Sequence, residues 1–240
     1  MAPAPRFTAE QQEKMILSAA EQAIEETSLL DFSMSSIAKL SGLSMGSVYK
    51  FVQCKEDVLI ALATLMYQEK QRVFKQVLNL PLTSPERLIG ISLLDFSKVQ
   101  MFSFDDQLEN FVNTRAIMKR SSKRWLDHMI ASSKVCENAF NQFLEKATQT
   151  GELINGKDDF EEISLGSWSL MVGYFHMVRL HQSWNNEQEM ENIDNLAPLT
   201  IDNVHVKNLR RFINAFEWQK KLTENDIEKV SLHLMDEGLR

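Results

Sequence analysis

Apolar residues recur at helical spacing along most of the chain. Met15, Ile16, Ala19, Ala20, Ala23 and Ile24 form the first stripe, and Thr8 with Gln11 three residues later gives a capping-box signal ahead of it. The pattern predicts a helix over about 9–27. Ser33 caps a short second helix, MSSIAKLS, that reaches about Ser41. Gly42 and Leu43 then turn the chain, and Ser44 caps a third helix from Met45 to about Val52. After a break at 53–56, a long helix over about 57–78 carries Leu59, Leu62, Ala63, Met66, Val73 and Val77 on one face. Pro81 and Pro85 punctuate the chain behind it. Further helices are predicted over about 86–97, 104–117, 121–149, 158–183, 203–219 and 223–235. Gly151 and Gly156 mark turns, and 184–201 reads as a polar loop.

Composition agrees with a helical chain. Only 8 glycines and 5 prolines occur in 240 residues, and 44% of the residues are hydrophobic, which is enough for a sizeable core. The expected class is all-α. The expected division is a three-helix head at 8–56, continued by a connecting helix at 57–78, and a larger helical body at 79–240. Cys54 and Cys136 lie too far apart in sequence to suggest a disulfide framework. With neither a signal-peptide pattern nor a long uncharged apolar run, a cytoplasmic protein without membrane spans is expected.

Charge complicates any nucleic-acid reading. The formal net charge is −7. The first sixty residues hold five basic and eight acidic groups, a balance of −3. A DNA-binding role therefore requires local placement of cations.

The stretch SGLSMGSVYKF, Ser41 to Phe51, supplies such a placement. Two short helices joined through a glycine have helix-turn-helix spacing. Ile37, Ala38, Leu43 and Val48 fill the wedge between them. Ser44, Met45, Ser47 and Lys50 remain on the outer face of the third helix, and Gly46 leaves space among them. Such a face fits the major groove, where these four side chains reach base edges. Tyr49 and Lys55 suit phosphate contacts, and Ser33 and Ser36 add hydroxyls near the start of the second helix. Lys39, Lys50 and Lys55 make a thin basic footprint, so weak, salt-sensitive non-specific binding is expected.

The segment FSMSSIAKLSGLSMGSVYKFVQCKEDVL resembles the DNA-binding head of the TetR family of bacterial transcriptional regulators. Ser33, Ile37, Ala38, Gly42, Leu43, Ser44, Gly46, Tyr49, Lys55 and Glu56 match the family pattern, as does MILSAAEQAIEE in the first helix. Phe51 stands where His or Tyr is common. Further on, FLEKATQTGELINGKDDFEEISLGSWSLMVG is similar to the family's end of a seventh helix, Gly-Glu-Leu turn and eighth helix. The resemblance implies a homodimer paired through the last long helices. It also implies a body enclosing a small-molecule effector site, with effector binding releasing a double-stranded DNA operator, most often as relief of repression.

The helix EISLGSWSLMVGYFHMVRLHQSW is apolar on more than one stripe, as expected of a helix buried in a core or against a partner. Gly166, Ser169 and Gly173 permit close approach. Trp168, Met171 and Phe175 here, with Leu209, Phe212 and Phe216 on the last long helix, are the candidate dimer contacts. For the effector, Phe104, Phe111, Trp125 and Met129 are candidate apolar lining for an apolar or amphipathic ligand, with Asn138 and Gln142 orienting a polar end. Each of these side chains is equally consistent with ordinary core or surface.

The basic run KRSSKRW, Lys119 to Trp125, reads as a solvated helix start or as charge for an anionic ligand. Its position in the body argues against a second DNA-contact surface there. Cys54 beside Lys55 suggests a lowered thiol pKa and a redox role to be tested. No metal-binding or phosphate-loop motif is present, and His176 and His181 are five apart, off the spacing for a shared ligand face. Neither catalytic residues, metal nor cofactor are expected. Two other readings stand beside the regulator. One is a helical scaffold that does not bind DNA, and the other is a cofactor-free enzyme with a buried cavity.

Overall fold

The computed structural model describes residues 7–185 and 197–240, with the backbone alone at 179 and 181–185. The expected terminal arm before Phe7, most of the polar loop and the His181 side chain lie outside the described residues. Those residues form twelve α-helices and one 3₁₀ turn, and they contain no β-strand. A single bridge pairs Leu153 with Trp218. The helices are α1 (Ala9–Glu25), α2 (Met34–Ser41), α3 (Met45–Phe51), α4 (Lys55–Leu78), α5 (Ser84–Ser92), α6 (Phe96–Val99), α7 (Asp105–Val112), α8 (Arg115–Arg120), α9 (Lys123–Gln149), α10 (Phe160–Asn185), α11 (Val204–Ile213) and α12 (Glu224–Asp236). No helix among the described residues is long and apolar enough to cross a membrane.

The residues group into two compact units whose boundary differs from the expected division at residue 78. The first unit combines the chain up to Gln68 with Met101–Lys134, and the second combines Glu69–Gln100 with Val135–Arg240. Both α4 and α9 begin in the first unit and end in the second. The segment 101–134, expected in the body, therefore packs with the helix-turn-helix.

In the first unit, α1 starts at a reciprocal capping box between Thr8 and Gln11. Its small residues Ala19, Ala20 and Ala23 are buried and let α2 approach closely. Ile16, Ile37, Val48, Leu59 and Leu62 share one core with Phe102, Phe104, Leu108, Trp125 and Met129. Polar ties close this core. Buried Asp57 accepts from the backbone N–H of Gln53 at 2.9 Å and of Ser122 at 2.6 Å. The Trp125 indole donates to the Phe51 carbonyl at 2.8 Å.

In the second unit, α5 packs on α11 and α12, and α10 packs on α11. Pro85 lies in the first turn of α5, where its missing N–H costs nothing, and Thr83 with Glu86 forms the capping box. Buried Glu86 also receives Lys229 at 3.1 Å. His205 is buried and stacks on Tyr174 with ring centroids 4.7 Å apart, while its Nε2 lies 3.1 Å from Ser92 Oγ. Burial lowers the His205 pKa from 6.5 to about 4, so the ring is neutral.

Candidate nucleic-acid interface

The turn between α2 and α3 is fixed by backbone geometry. Gly42 has φ 67°, a left-handed conformation that disfavours any side chain, and its N–H returns to the carbonyls at the end of α2. The Leu43 N–H donates to the Ala38 carbonyl at 3.2 Å. Ile37 and Val48 are fully buried on either side of the turn and Ala38 is nearly so, which anchors α3 through its inner face. Each buried aliphatic contributes about 2 kcal/mol to that anchoring.

The outer face of α3 is short, polar and open. Ser44 caps the helix by accepting from the Ser47 N–H at 3.1 Å, and the two hydroxyls lie 3.0 Å apart. Met45, Gly46, Tyr49 and Lys50 are exposed, and Ser47 is half-buried. A Cβ at Gly46 would meet only the Ser44 hydroxyl, at 3.9 Å, so the space above this residue is open. Ser44, Met45, Ser47 and Lys50 are thus gathered on one face.

The expected phosphate-contacting residues differ among themselves. Tyr49 is 46% exposed. Lys55 is half-buried: its ammonium donates to the Leu30 carbonyl at 3.0 Å and sits 4.9 Å from the Phe32 ring centroid. Ser33 and Ser36 cap α2 reciprocally, and the Ser36 hydroxyl donates to the Ser33 carbonyl at 2.7 Å. The Ser36 proton is therefore already used locally. Exposed Ser35, which the sequence reading passed over, lies with its hydroxyl 2.9 Å from that of Ser33. The Phe51 ring packs against the apolar core instead of standing free.

The acidic residues of α1 are partly accounted for elsewhere. Glu25 accepts from the Ser103 hydroxyl at 3.1 Å. Burial, then the neighbouring Glu25 and Asp105 carboxylates, raise the Glu21 pKa. This side of α1 faces the start of the 101–134 segment.

Cys54 behaves oppositely to expectation. Burial, reinforced by Asp57 and Glu56, raises its thiol to about 11. Its Sγ–H points to the Arg120 carbonyl at 3.6 Å. The lysine next in sequence turns toward Leu30 and leaves the thiol protonated.

The six candidate effector residues fall in two different units. Phe104, Trp125 and Met129 are buried in the core of the first unit, with Phe111 half-buried against it. Asn138 and Gln142 belong to the second unit and are exposed. An open groove of about 360 Å³ in the second unit is lined by Ile201, Ile227, Leu232 and Arg240 among others.

Of the candidate dimer contacts, Trp168 is exposed. Met171, Phe175, Leu209 and Phe216 lie in the core of the second unit, and Phe212 is half-buried against it. A Cβ on Gly166 would lie 2.2 Å from the Phe212 ring, so the close approach read at Gly166 joins α10 to α11 within the chain. The outward apolar stripe of α10 is instead Leu165, Trp168 and Val172, all exposed, with exposed Met177 half a turn round the helix from Trp168.

No protein-family model matches the sequence, and no curated protein does. Solved structures do match in shape. A protein assigned to the TetR-family transcriptional regulators, from Mesorhizobium loti, superposes with TM-score 0.55 at 16% identity, covering 95% of this chain and 98% of its own. The transcriptional regulator FadR from Bacillus subtilis, in complex with stearoyl-CoA, gives 0.50 at 18% identity, with coverages of 82% and 96%. SmeT, the repressor of the Stenotrophomonas maltophilia multidrug efflux pump SmeDEF, gives 0.50 at 17% identity in its triclosan complex, with coverages of 90% and 96%. The fold is that of the TetR-family regulators. In that fold the helix-turn-helix of α2 and α3 forms the head, as the resemblance of residues 33–56 implies. At these identities the likeness fixes architecture, and the chemistry must come from this chain's own residues.

Proposed function

We propose that this chain is a sequence-specific DNA-binding transcriptional regulator, a homodimeric repressor released from a double-stranded operator by a small apolar or amphipathic effector. The observation that carries the reading is the outer face of α3. A helix held by Ile37, Ala38 and Val48 on its inner side turns two serines, a methionine and a lysine outward around a glycine. In the major groove, Lys50 suits the O6 and N7 acceptors of guanine, Met45 suits a thymine methyl, and the Ser44 and Ser47 hydroxyls suit either donors or acceptors. Tyr49, Lys55, Ser33 and Ser36 fix the register on phosphates, with Lys55 giving up its bond to Leu30 or sharing it and Ser36 giving up its bond to the Ser33 carbonyl.

The exposed stripe Leu165, Trp168 and Val172 supports pairing with a second copy through α10. A two-fold dimer brings a second head to a half-site about one DNA turn, roughly 34 Å, away. The effector part of the reading draws on stearoyl-CoA and triclosan, held by proteins of this fold. In this chain Phe104, Trp125 and Met129 are closed together, so a ligand among them must separate them, which gives a route from ligand to head.

A mobility-shift experiment with the DNA upstream of the chain's own gene tests the proposal. The expected result is a salt-sensitive, sequence-preferring shift that an amphipathic ligand reverses. A chain that shifts no duplex, or shifts all duplexes alike, is no regulator of this kind.

A further inference from the structure

The basic run that the sequence placed in the body belongs to the same compact unit as the helix-turn-helix. Between Arg115 and Arg124 the chain holds five basic residues and no acidic one. Three contacts tie this run to the end of the recognition helix and the start of α4. Arg120 pairs with Glu56 at 3.3 Å, the Ser122 N–H donates to Asp57, and the Trp125 indole holds the Phe51 carbonyl. Phe51 closes α3 immediately after Lys50. Lys119, Arg120, Lys123 and Arg124 are nonetheless exposed. Arg120 keeps most of its side chain in solvent, and the Arg124 guanidinium lies over the Trp125 ring, 5.3 Å from its centroid.

We infer that Lys119, Arg120, Lys123 and Arg124 form a second phosphate-contacting surface, which grips the DNA backbone beside the footprint of α3. This inference rests on the DNA-binding reading above and extends it to a segment outside the helix-turn-helix. Charge argues for it. The first sixty residues carry −3, and Lys55 is half engaged with Leu30, so the head alone is a poor polyanion binder. The segment 101–134 adds six basic and four acidic residues, which brings the first unit to −1, with its cations concentrated at 115–124. Glu56 is the acid paired with this run, and Asp127 follows one turn into α9. Arg120 meets Glu56 through one nitrogen, and a guanidinium with five N–H donors can turn others to phosphate while it keeps that bond. A protein partner for this patch would require complementary acids and give no reason for anchoring the run to the recognition helix.

The test compares the full-length chain with a Lys119→Ala/Lys123→Ala variant on a mixed-sequence duplex, with affinity followed by anisotropy between about 50 and 200 mM salt. Neither lysine packs into the core, so melting should be unchanged. A Lys75→Ala/Lys146→Ala variant in the second unit removes the same charge elsewhere. The inference predicts that the first variant binds roughly tenfold more weakly, with a salt slope shallower by about one for each lysine removed, while the second variant stays close to the parent. A parent that binds with a slope unchanged by the first variant overturns the inference and leaves the regulator reading intact. Equal losses in both variants also overturn it, since net charge alone would then explain them. A parent that binds no duplex at all overturns both readings.

Discussion

Helices α3 and α10 each bury one face and present the other, and the presented faces are chemically opposite. On α3 the outer side is Ser44, Met45, Gly46, Tyr49 and Lys50, small or polar, with one cation. On α10 it is Leu165, Trp168 and Val172, which no described residue covers fully. A polar, slim face matches a hydrated groove lined with donors and acceptors. An apolar face of this length matches a second apolar surface and is costly in water. The inner faces teach a complementary lesson. Val48 locks α3 to its turn, while Gly166, against the Phe212 ring, locks α10 to α11. Inner-face changes should therefore cost stability, and outer-face changes should cost association only.

The largest effect that could break this contrast is at α10. Trp168→Asp with Val172→Asp should convert a dimer to monomer in sedimentation experiments, weakening self-association by a hundredfold or more, about 3 kcal/mol, because charge would have to be buried. An unchanged dimer would move the interface off this stripe. On the inner face, Gly166→Ala forces a methyl into the Phe212 ring and should lower the unfolding free energy by about 1–3 kcal/mol in denaturant titrations, with the subunit count unchanged.

Next, and specific to the second unit, is a pH effect from His205. Its folded pKa of about 4 lies below the ordinary 6.5, so the unfolded chain binds a proton first as pH falls. Stability from this group is complete above pH 6.5 and drains away as pH falls toward 4. The difference between the two values caps the loss at about 3 kcal/mol. Stability measured in His205→Gln should lack this component of the acid dependence. The smallest effect belongs to Tyr49 on α3 and Lys55 at the start of α4. Tyr49→Phe with Lys55→Ala should weaken binding several-fold on every duplex alike, with a shallower salt slope, and should leave sequence preference intact.

Local signals made the head legible. Thr8, Ser33, Ser44 and Gly42 mark boundaries chemically, and α1, α2 and α3 end within two residues of expectation. The less legible parts share a cause: side chains competing with the backbone. The helix expected over 104–117 breaks at Asn113–Thr114, where the Thr114 hydroxyl donates to the Phe111 carbonyl at 2.8 Å. The helix expected to reach 219 stops at Ile213, because the Asn214 amide exchanges two hydrogen bonds with Leu222, both 2.8 Å long.

The placement of the candidate residues Ser44, Met45, Ser47 and Lys50 on one short helix was legible because they are neighbours in sequence. Placement was obscured where association is long-range. Nothing local in KRSSKRW announces that Trp125 reaches the Phe51 carbonyl, 74 positions back. Likewise, an apolar list along α10 does not say which residues α11 will cover. Periodicity assigns faces to a helix, and only packing decides which face stays open.

The central claim is that the outer face of α3 reads DNA sequence. Selection of bound duplexes from a random-sequence pool by the full-length chain tests it most directly, with Lys50→Ala as the companion. The account predicts enrichment of a symmetric pair of half-sites about one helical turn apart, and loss of preference at one position per half-site in the variant. Recovery of no preferred sequence by the parent chain, or of the same sequence at undiminished preference by Lys50→Ala, would contradict it.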